Sequence, residues 1–151
     1  LYALSKSAGT FAESQVWNCT DTKNGGGYGR ILVDCPDLRD AILKAGLAHP
    51  FYIDSPPPQS VLDAQNLAIT EKAGMWAKGA PSQLITSLHS QDEKPDKDAY
   101  NRVCEIKTGL CSVQTHQNTY SSCELVCIDD SCMVYVPYTQ RYGQQRASCL
   151  R

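Results

Sequence analysis

The sequence of 151 residues predicts an α+β fold, and three observations lead to this prediction. Residues 36–46 and 60–74 repeat apolar side chains at the three- and four-residue spacing of an α-helix. Residues 102–116 and 122–138 alternate apolar and polar side chains, as strands do. Eight cysteines, six of them after residue 103, are concentrated in that second half. We therefore expect two packed helices, further strands and a small disulfide-rich β-hairpin segment.

The first 35 residues predict a helix, a loop and a strand. Thr10 is suited to cap a helix of about three turns that carries Phe11 and Trp17. Residues 18–27 are rich in turn formers and predict a loop. Residues 28–35 predict a strand with Ile31 and Val33 on one face and Leu32 on the other.

The two helices follow the strand. Pro36 is expected to open the first of them and Gly46 to end it. A short extended piece and a stiff run of three prolines lead to the second helix. Ser60 is expected to cap that helix and Gly74 to end it.

A polar stretch divides the chain. Residues 81–98 predict a linker, interrupted by a short apolar patch that includes Ile85. We therefore expect one domain at 1–80 and a cysteine-rich β segment at 99–151. Two hairpins are expected in that segment, one around Gly109 and one around the turn at Asp129 and Asp130.

Composition excludes some classes of function. A formal net charge of −2 and the lack of a basic cluster argue against a general polyanion-binding surface. No window approaches the roughly 20 apolar residues of a membrane span. The chain begins at Leu1, without methionine or an apolar signal core, so we expect it to be a piece of a longer product.

The cysteines favour disulfide bonds in an oxidising compartment, the periplasm or the cell exterior. A zinc site built from Cys123, Cys127, Cys132 and His116 is the alternative, although paired short knuckles are missing. The spacing leaves the connectivity open. The disulfide candidates are Cys19, Cys35, Cys104, Cys111, Cys123, Cys127, Cys132 and Cys149.

Three segments in the first half of the chain occur in an order that resembles a known family. They are YGRILVD at 28–34, DLRDAILKAGLAHPFYI at 37–53 and SVLDAQNLAITEKAGMWAKGAP at 60–81. The order and spacing of these segments resemble the C-terminal half of the thermonuclease family, also called staphylococcal-nuclease-like domains. The resemblance implies a partial or modified OB-type β-barrel packed against two helices, with a groove for single-stranded nucleic acid or oligosaccharides.

The resemblance also implies roles for individual residues. In the family, the arginine of the Tyr-Gly-Arg motif stabilises charge on the scissile phosphate, and Arg30 occupies that position. Tyr28 and Tyr52 match aromatic positions that could line the same groove and bind there. The family uses acidic strands to hold calcium. In this sequence the only acidic residues before Tyr28 are Glu13 and Asp21, and neither lies in the family's acidic motifs.

We therefore predict a catalytically degenerate module, a pseudoenzyme that serves as a structural or docking component of an extracytoplasmic assembly. Its expected partners are other envelope or secreted proteins, and no cofactor or metal is expected. The alternative is a secreted, calcium-dependent nuclease that hydrolyses DNA or RNA phosphodiesters, with its acidic metal-binding strands outside this chain. In that alternative Arg30 is catalytic, calcium is the cofactor and nucleic acid is the partner.

Two further hypotheses rest on less specific signals. A rearranged strand order could return Asp129 and Asp130 to the groove, although Asp-Asp-Ser is also what a tight turn prefers. Sugar binding through the groove, with Tyr52 and Trp76 as stacking residues, rests on analogy between folds. The three histidines stand alone, without the spacing of a metal or catalytic motif.

Overall fold

A computed structural model of the chain describes residues 2–25, 29–142 and 146–150. The described part contains three α-helices and small antiparallel sheets, so the predicted α+β class is confirmed. The chain divides into two compact units, residues 1–50 with 58–79 and residues 51–57 with 80–151.

The first helix of the first unit begins earlier than its sequence pattern predicts. Helix α1 spans Tyr2–Glu13, and Thr10 lies inside it instead of capping it. The half-buried residues Leu4, Ala8 and Phe11 form one apolar stripe that extends the helical period back before Thr10. The prediction of a helix that starts at Thr10 is therefore wrong.

The next two helices confirm the predicted pair. Helix α2 spans Pro36–Lys44, and its proline stands in the first turn, where a missing amide donor costs nothing. Helix α3 spans Gln59–Thr70 and packs against α2, so the prediction that it ends at Gly74 is wrong. Its N-cap is Pro58, without a side-chain hydrogen bond, so the prediction of Ser60 as the cap is wrong. The α3 stripe of Val61, Ala64, Gln65 and Ala68 is buried.

A two-stranded ribbon completes the first unit. Strand β1 spans Thr20–Gly25 and pairs antiparallel with strand β2, Ile31–Asp34. The predicted loop at 18–27 is therefore wrong, whereas the strand predicted after it is confirmed over residues 31–34. The disulfide between Cys19 and Cys35 joins the residues that flank the paired ends, which explains why such polar residues form a strand. Tyr28 lies outside the described residues.

The second unit is built on a three-stranded antiparallel sheet in the order β3-β4-β5. The strands are β3 (Gln83–Ser87), β4 (Ala99–Glu105) and β5 (Cys111–His116). Residues 81–98, expected to be a linker, contribute β3 and a 3-10 turn at Gln91–Glu93. The apolar patch inside that polar stretch is the reason, because Ile85 and Leu88 are buried in the core.

A second hairpin covers this core. Strand β6 (Leu125–Ile128) pairs with strand β7 (Ser131–Val134). The turn between them contains Asp129 at a φ of 50°. Because β4 also pairs with β5 around Gly109, both predicted hairpins are confirmed. The core is a cluster of Ile85, Leu88, Val126 and Tyr135, with Tyr120, Ile128 and Met133 packed against it.

The strands of the described residues form three separate sheets, and none of these closes into a barrel. Two sheets have only two strands and the third has three, which is too few for closure. The OB-type barrel that the resemblance implies is therefore not confirmed.

All eight cysteines are paired. Because every one of these sulfurs is in a disulfide, the zinc alternative is wrong. Four disulfides fit an oxidising extracellular or periplasmic location. None of the helices in the described ranges has the length and apolarity that a bilayer crossing needs. The pairs are Cys19–Cys35, Cys104–Cys111, Cys123–Cys149 and Cys127–Cys132.

Candidate functional site

The ribbon of the first unit exposes apolar side chains on a strand. Ile31 is 75% exposed, Leu32 45% and Val33 52%. Successive side chains of a strand point to opposite faces, so Leu32 faces away from the other two. Both faces of β2 are therefore open to solvent, which is unusual for three consecutive apolar residues.

One edge of β2 is also open. Strand β1 occupies one edge, and no other strand of the described residues pairs with β2. Outward-pointing N–H and C=O groups on an unpaired edge are a template for a further strand. The ribbon therefore offers both backbone pairing and apolar contact to an incoming extended segment.

Local contacts fix the shape of the ribbon. The Thr22 hydroxyl donates a hydrogen bond to the Leu32 carbonyl at 3.0 Å. The register shifts between Asp21 and Gly25, and the amide of Lys23, at a φ of 61°, donates to the Asp21 carboxylate at 2.8 Å. Together with the disulfide at its base, these bonds hold β2 extended before any partner binds.

The end of β2 beside the disulfide carries an ion pair. The Arg39 guanidinium lies 3.1 Å from the Asp34 carboxylate and 3.6 Å from the Asp40 carboxylate. These two acids are therefore already paired, and they do not offer the several free oxygen ligands that calcium needs. No group of three or more His, Cys, Asp or Glu side chains in the described part of the chain is placed to hold a metal ion.

The residues predicted from the resemblance belong to different parts of the chain. Arg30 is exposed, precedes β2 and follows Gly29, whose φ is 72°. Tyr52 belongs to the other unit, where its carbonyl accepts a hydrogen bond from the Cys111 amide at 2.6 Å and its backbone bridges to Leu110. Tyr28 has no described position.

The acids of the β6–β7 turn contact β3 and the residue before it. The Asp130 carboxylate accepts hydrogen bonds from the Ser82 amide at 2.7 Å and from the Ser82 hydroxyl at 2.8 Å. These bonds lower the pKa of Asp130 below its usual range. The Asp129 carboxylate accepts a hydrogen bond from the Gln83 amide group. Both acids therefore tie the second hairpin to the three-stranded sheet.

The three histidines have structural contacts. Burial lowers the pKa of His49, His89 and His116, which favours the neutral ring at neutral pH. A ring nitrogen of His89 lies 3.0 Å from the Tyr100 carbonyl, and the two rings stack at 4.2 Å. A ring nitrogen of His49 lies 2.8 Å from the Pro50 carbonyl.

Sequence reasoning missed a polar groove in the second unit. The buried Tyr135 hydroxyl donates a hydrogen bond to the Glu93 carboxylate at 2.9 Å, and Arg141 lines the same groove. Burial and the neighbouring carboxylate raise the pKa of Tyr135. No spacing motif links residues 93, 135 and 141. An arginine among aromatic residues in the tail was the one available signal.

Comparison with protein-family models, with curated proteins and with solved structures gives no match. The thermonuclease resemblance therefore rests on the three quoted segments alone.

Proposed function

We propose that this chain is a non-catalytic docking module of an extracytoplasmic assembly, and that β2 receives an extended strand of a partner polypeptide. The observation that carries the proposal is the combination of three exposed apolar residues with an unpaired strand edge. Strand addition of this kind uses backbone hydrogen bonds for affinity and side-chain pockets for selectivity.

The exposed apolar side chains of β2 favour a docking role over a purely structural role for the ribbon. Full burial of an Ile, Leu or Val side chain contributes about 1.5 to 3 kcal/mol, so the three exposed residues hold a large unused driving force. An isolated two-stranded ribbon is marginal in water, and a third strand stabilises it. The partner segment is therefore extended, carries apolar side chains on both faces and has few charges.

We also propose that the chain is related to the thermonuclease family and that its ribbon corresponds to part of that family's OB-type barrel. In the family that the chain resembles, the Tyr-Gly-Arg strand is part of a closed OB-type sheet. An added strand would extend the β1–β2 ribbon toward such a sheet. Arg30 then stands at the start of a paired strand as a structural residue. The four disulfides support an envelope or secreted partner, because they indicate an oxidising compartment.

Photo-crosslinking tests the docking surface. A photoreactive amino acid replaces Ile31 or Val33 in the full chain, and irradiation is carried out in the cells that produce it. Leu125 is the control position, because it is 63% exposed on a strand of the second unit. We expect both β2 positions to crosslink to the same segment of one polypeptide and Leu125 not to do so. Equal crosslinking at Leu125 and at β2 would contradict the proposal.

A nuclease assay separates this function from the calcium-dependent alternative. The complete gene product, which would include any acidic strands outside this chain, is incubated with single-stranded DNA and calcium, with and without a chelator, beside its Arg30→Ala variant. We expect no cleavage by either protein. Chelator-sensitive cleavage by the natural chain that is lost in the variant would show that the chain is an enzyme, since one lost charge-stabilising donor costs about 3 to 4 kcal/mol of transition-state stabilisation.

A further inference from the structure

Opposite charges line one groove of the second unit without pairing. The groove has a volume of 510 Å³, and its lining includes Glu93, Lys94, Tyr138 and Arg141. Arg141 also lines an adjacent groove of 310 Å³. The walls of this second groove are mainly apolar, with Leu88, Val136, Tyr142 and Leu150 among them.

Neutral groups hold the Arg141 guanidinium in place. Its Nε donates a hydrogen bond to the Val136 carbonyl at 2.8 Å, and its Nη2 donates to the Leu88 carbonyl at 3.4 Å. Among the described residues, no carboxylate forms an ion pair with Arg141. A guanidinium has five N–H donors, and those left over are free to bind a carboxylate in the groove.

Hydrogen bonds also hold the Glu93 carboxylate, the negative charge of the groove, in place. Its Oε1 accepts hydrogen bonds from the Tyr135 hydroxyl at 2.9 Å and from the Tyr138 amide at 3.3 Å. Tyr135 is only 1% exposed, so its hydroxyl cannot swing away from this carboxylate. Both charges are therefore fixed in advance, which lowers the cost of ordering them around a ligand.

The charge pattern selects the kind of ligand. Asp92 and Glu93 repel a simple anion that approaches Arg141, and Arg141 together with Lys94 repels a simple cation. A ligand that carries both charges satisfies Arg141 and Glu93 together. Because Arg141 also borders the apolar groove, such a ligand can place an apolar group there at the same time.

We propose that Arg141 and Glu93 form a binding site for a zwitterionic α-amino acid with an apolar side chain. The ligand carboxylate binds Arg141, its ammonium group binds Glu93, and its side chain packs in the groove beside Leu88 and Leu150. Each groove falls in the size range of small-molecule pockets, which is about 300 to 1,000 Å³. This site belongs to the second unit and does not depend on the docking function proposed for β2.

Matched ligands test the site on the full chain. L-leucine, N-acetyl-L-leucine and L-leucinamide are titrated by calorimetry, because the second compound lacks the positive charge and the third lacks the negative charge. We expect saturable binding of L-leucine and affinities about tenfold or more lower for the other two, since a lost charged hydrogen bond costs about 1.5 to 3 kcal/mol. No saturable heat with L-leucine, or equal binding of the three compounds, would overturn the proposal.

Two variants assign the charges to residues. Glu93→Gln keeps an acceptor for Tyr135 but removes the charge, so L-leucine should lose its advantage over N-acetyl-L-leucine. In the Arg141→Gln variant, L-leucine should no longer bind more tightly than L-leucinamide. Circular dichroism checks that this variant is folded. Lys107→Gln, in the exposed β4–β5 turn, is the control and should bind as the natural chain does. If Glu93→Gln keeps the full preference for L-leucine, the proposal is wrong even where the Arg141 variant is unfolded.

Discussion

Gly46 and Gly74 meet backbone to backbone in the first unit. A Cβ on Gly46 would lie 2.2 Å from the Ala73 carbonyl oxygen, and a Cβ on Gly74 would lie 2.2 Å from the Gly46 carbonyl oxygen. The Met75 amide donates a hydrogen bond to that same Gly46 oxygen at 2.8 Å. The contact joins the turn after α2 to the 3-10 turn Gly74–Trp76, in which Trp76 is buried.

Alanine at either glycine should destabilise the first unit. Gly46 has a φ of +64° and Gly74 a φ of +52°, so a side chain meets both backbone strain and a backbone clash. We expect Gly46→Ala and Gly74→Ala each to lower the free energy of unfolding by about 2 to 4 kcal/mol, measured by urea titration. Gly9→Ala is the control. It lies in α1 with nothing within 4 Å of an added Cβ, and it should be neutral or slightly stabilising.

The disulfides should contribute unequally. Cys123–Cys149 closes a separation of 26 residues and Cys127–Cys132 one of 5, so removal by paired Cys→Ala changes should cost about 3.5 and about 2 kcal/mol. Chemical denaturation of the two double variants measures the difference. A larger loss for the shorter loop would show that chain entropy does not govern these bonds.

Asp130 should make stability depend on acid. Its folded pKa is lowered by the Ser82 hydrogen bonds, so its contribution is fully present above the unfolded pKa and is lost as the pH falls through the folded pKa. We expect Asp130→Asn to be less stable than the natural chain at pH 6, with the difference shrinking from about pH 4 downward. Asp96 is exposed and lacks these contacts, so Asp96→Asn is the control. Its stability relative to the natural chain should not change in this way as the pH falls.

Arg30 and Leu32 should behave differently in docking. Arg30 is exposed at the start of the strand, whereas Leu32 lies within it. We expect Arg30→Ala to leave the yield of the β2 crosslink unchanged and Leu32→Lys to abolish it, because a buried lysine is costly to desolvate. Leu125→Lys is the matched control on β6. A loss of the crosslink with Arg30→Ala would assign a binding role to that guanidinium.

Local patterns explain which elements could be predicted. The sequence repeats Val61, Gln65 and Ala68 at helical spacing, and these residues are buried in α3 as expected. The turn at Asp129 and Asp130 separates two alternating runs, and it forms the second hairpin. In both cases the signal lies within a few neighbouring residues, which a sequence displays directly.

Other features depend on residues that are distant in the chain. Strand β1 has the sequence TDTKNG, which has little strand propensity, and it forms because it pairs with β2 beside the Cys19–Cys35 bond. The groove of Glu93 and Arg141 is assembled from two loops without a shared motif. The openness of β2 could not be predicted either, because an apolar run indicates a buried strand until its neighbours are known.

Amide hydrogen exchange of β2 is the most direct test of the open strand. In the isolated full chain, we expect those amides of residues 31–34 that point to the unpaired edge to exchange much faster than those of Val103 and Cys104, which lie buried in the central strand β4. In the native assembly, the same β2 amides should become protected while the β4 amides stay unchanged. Strong protection of β2 in the isolated chain, or no gain of protection in the assembly, would contradict the account.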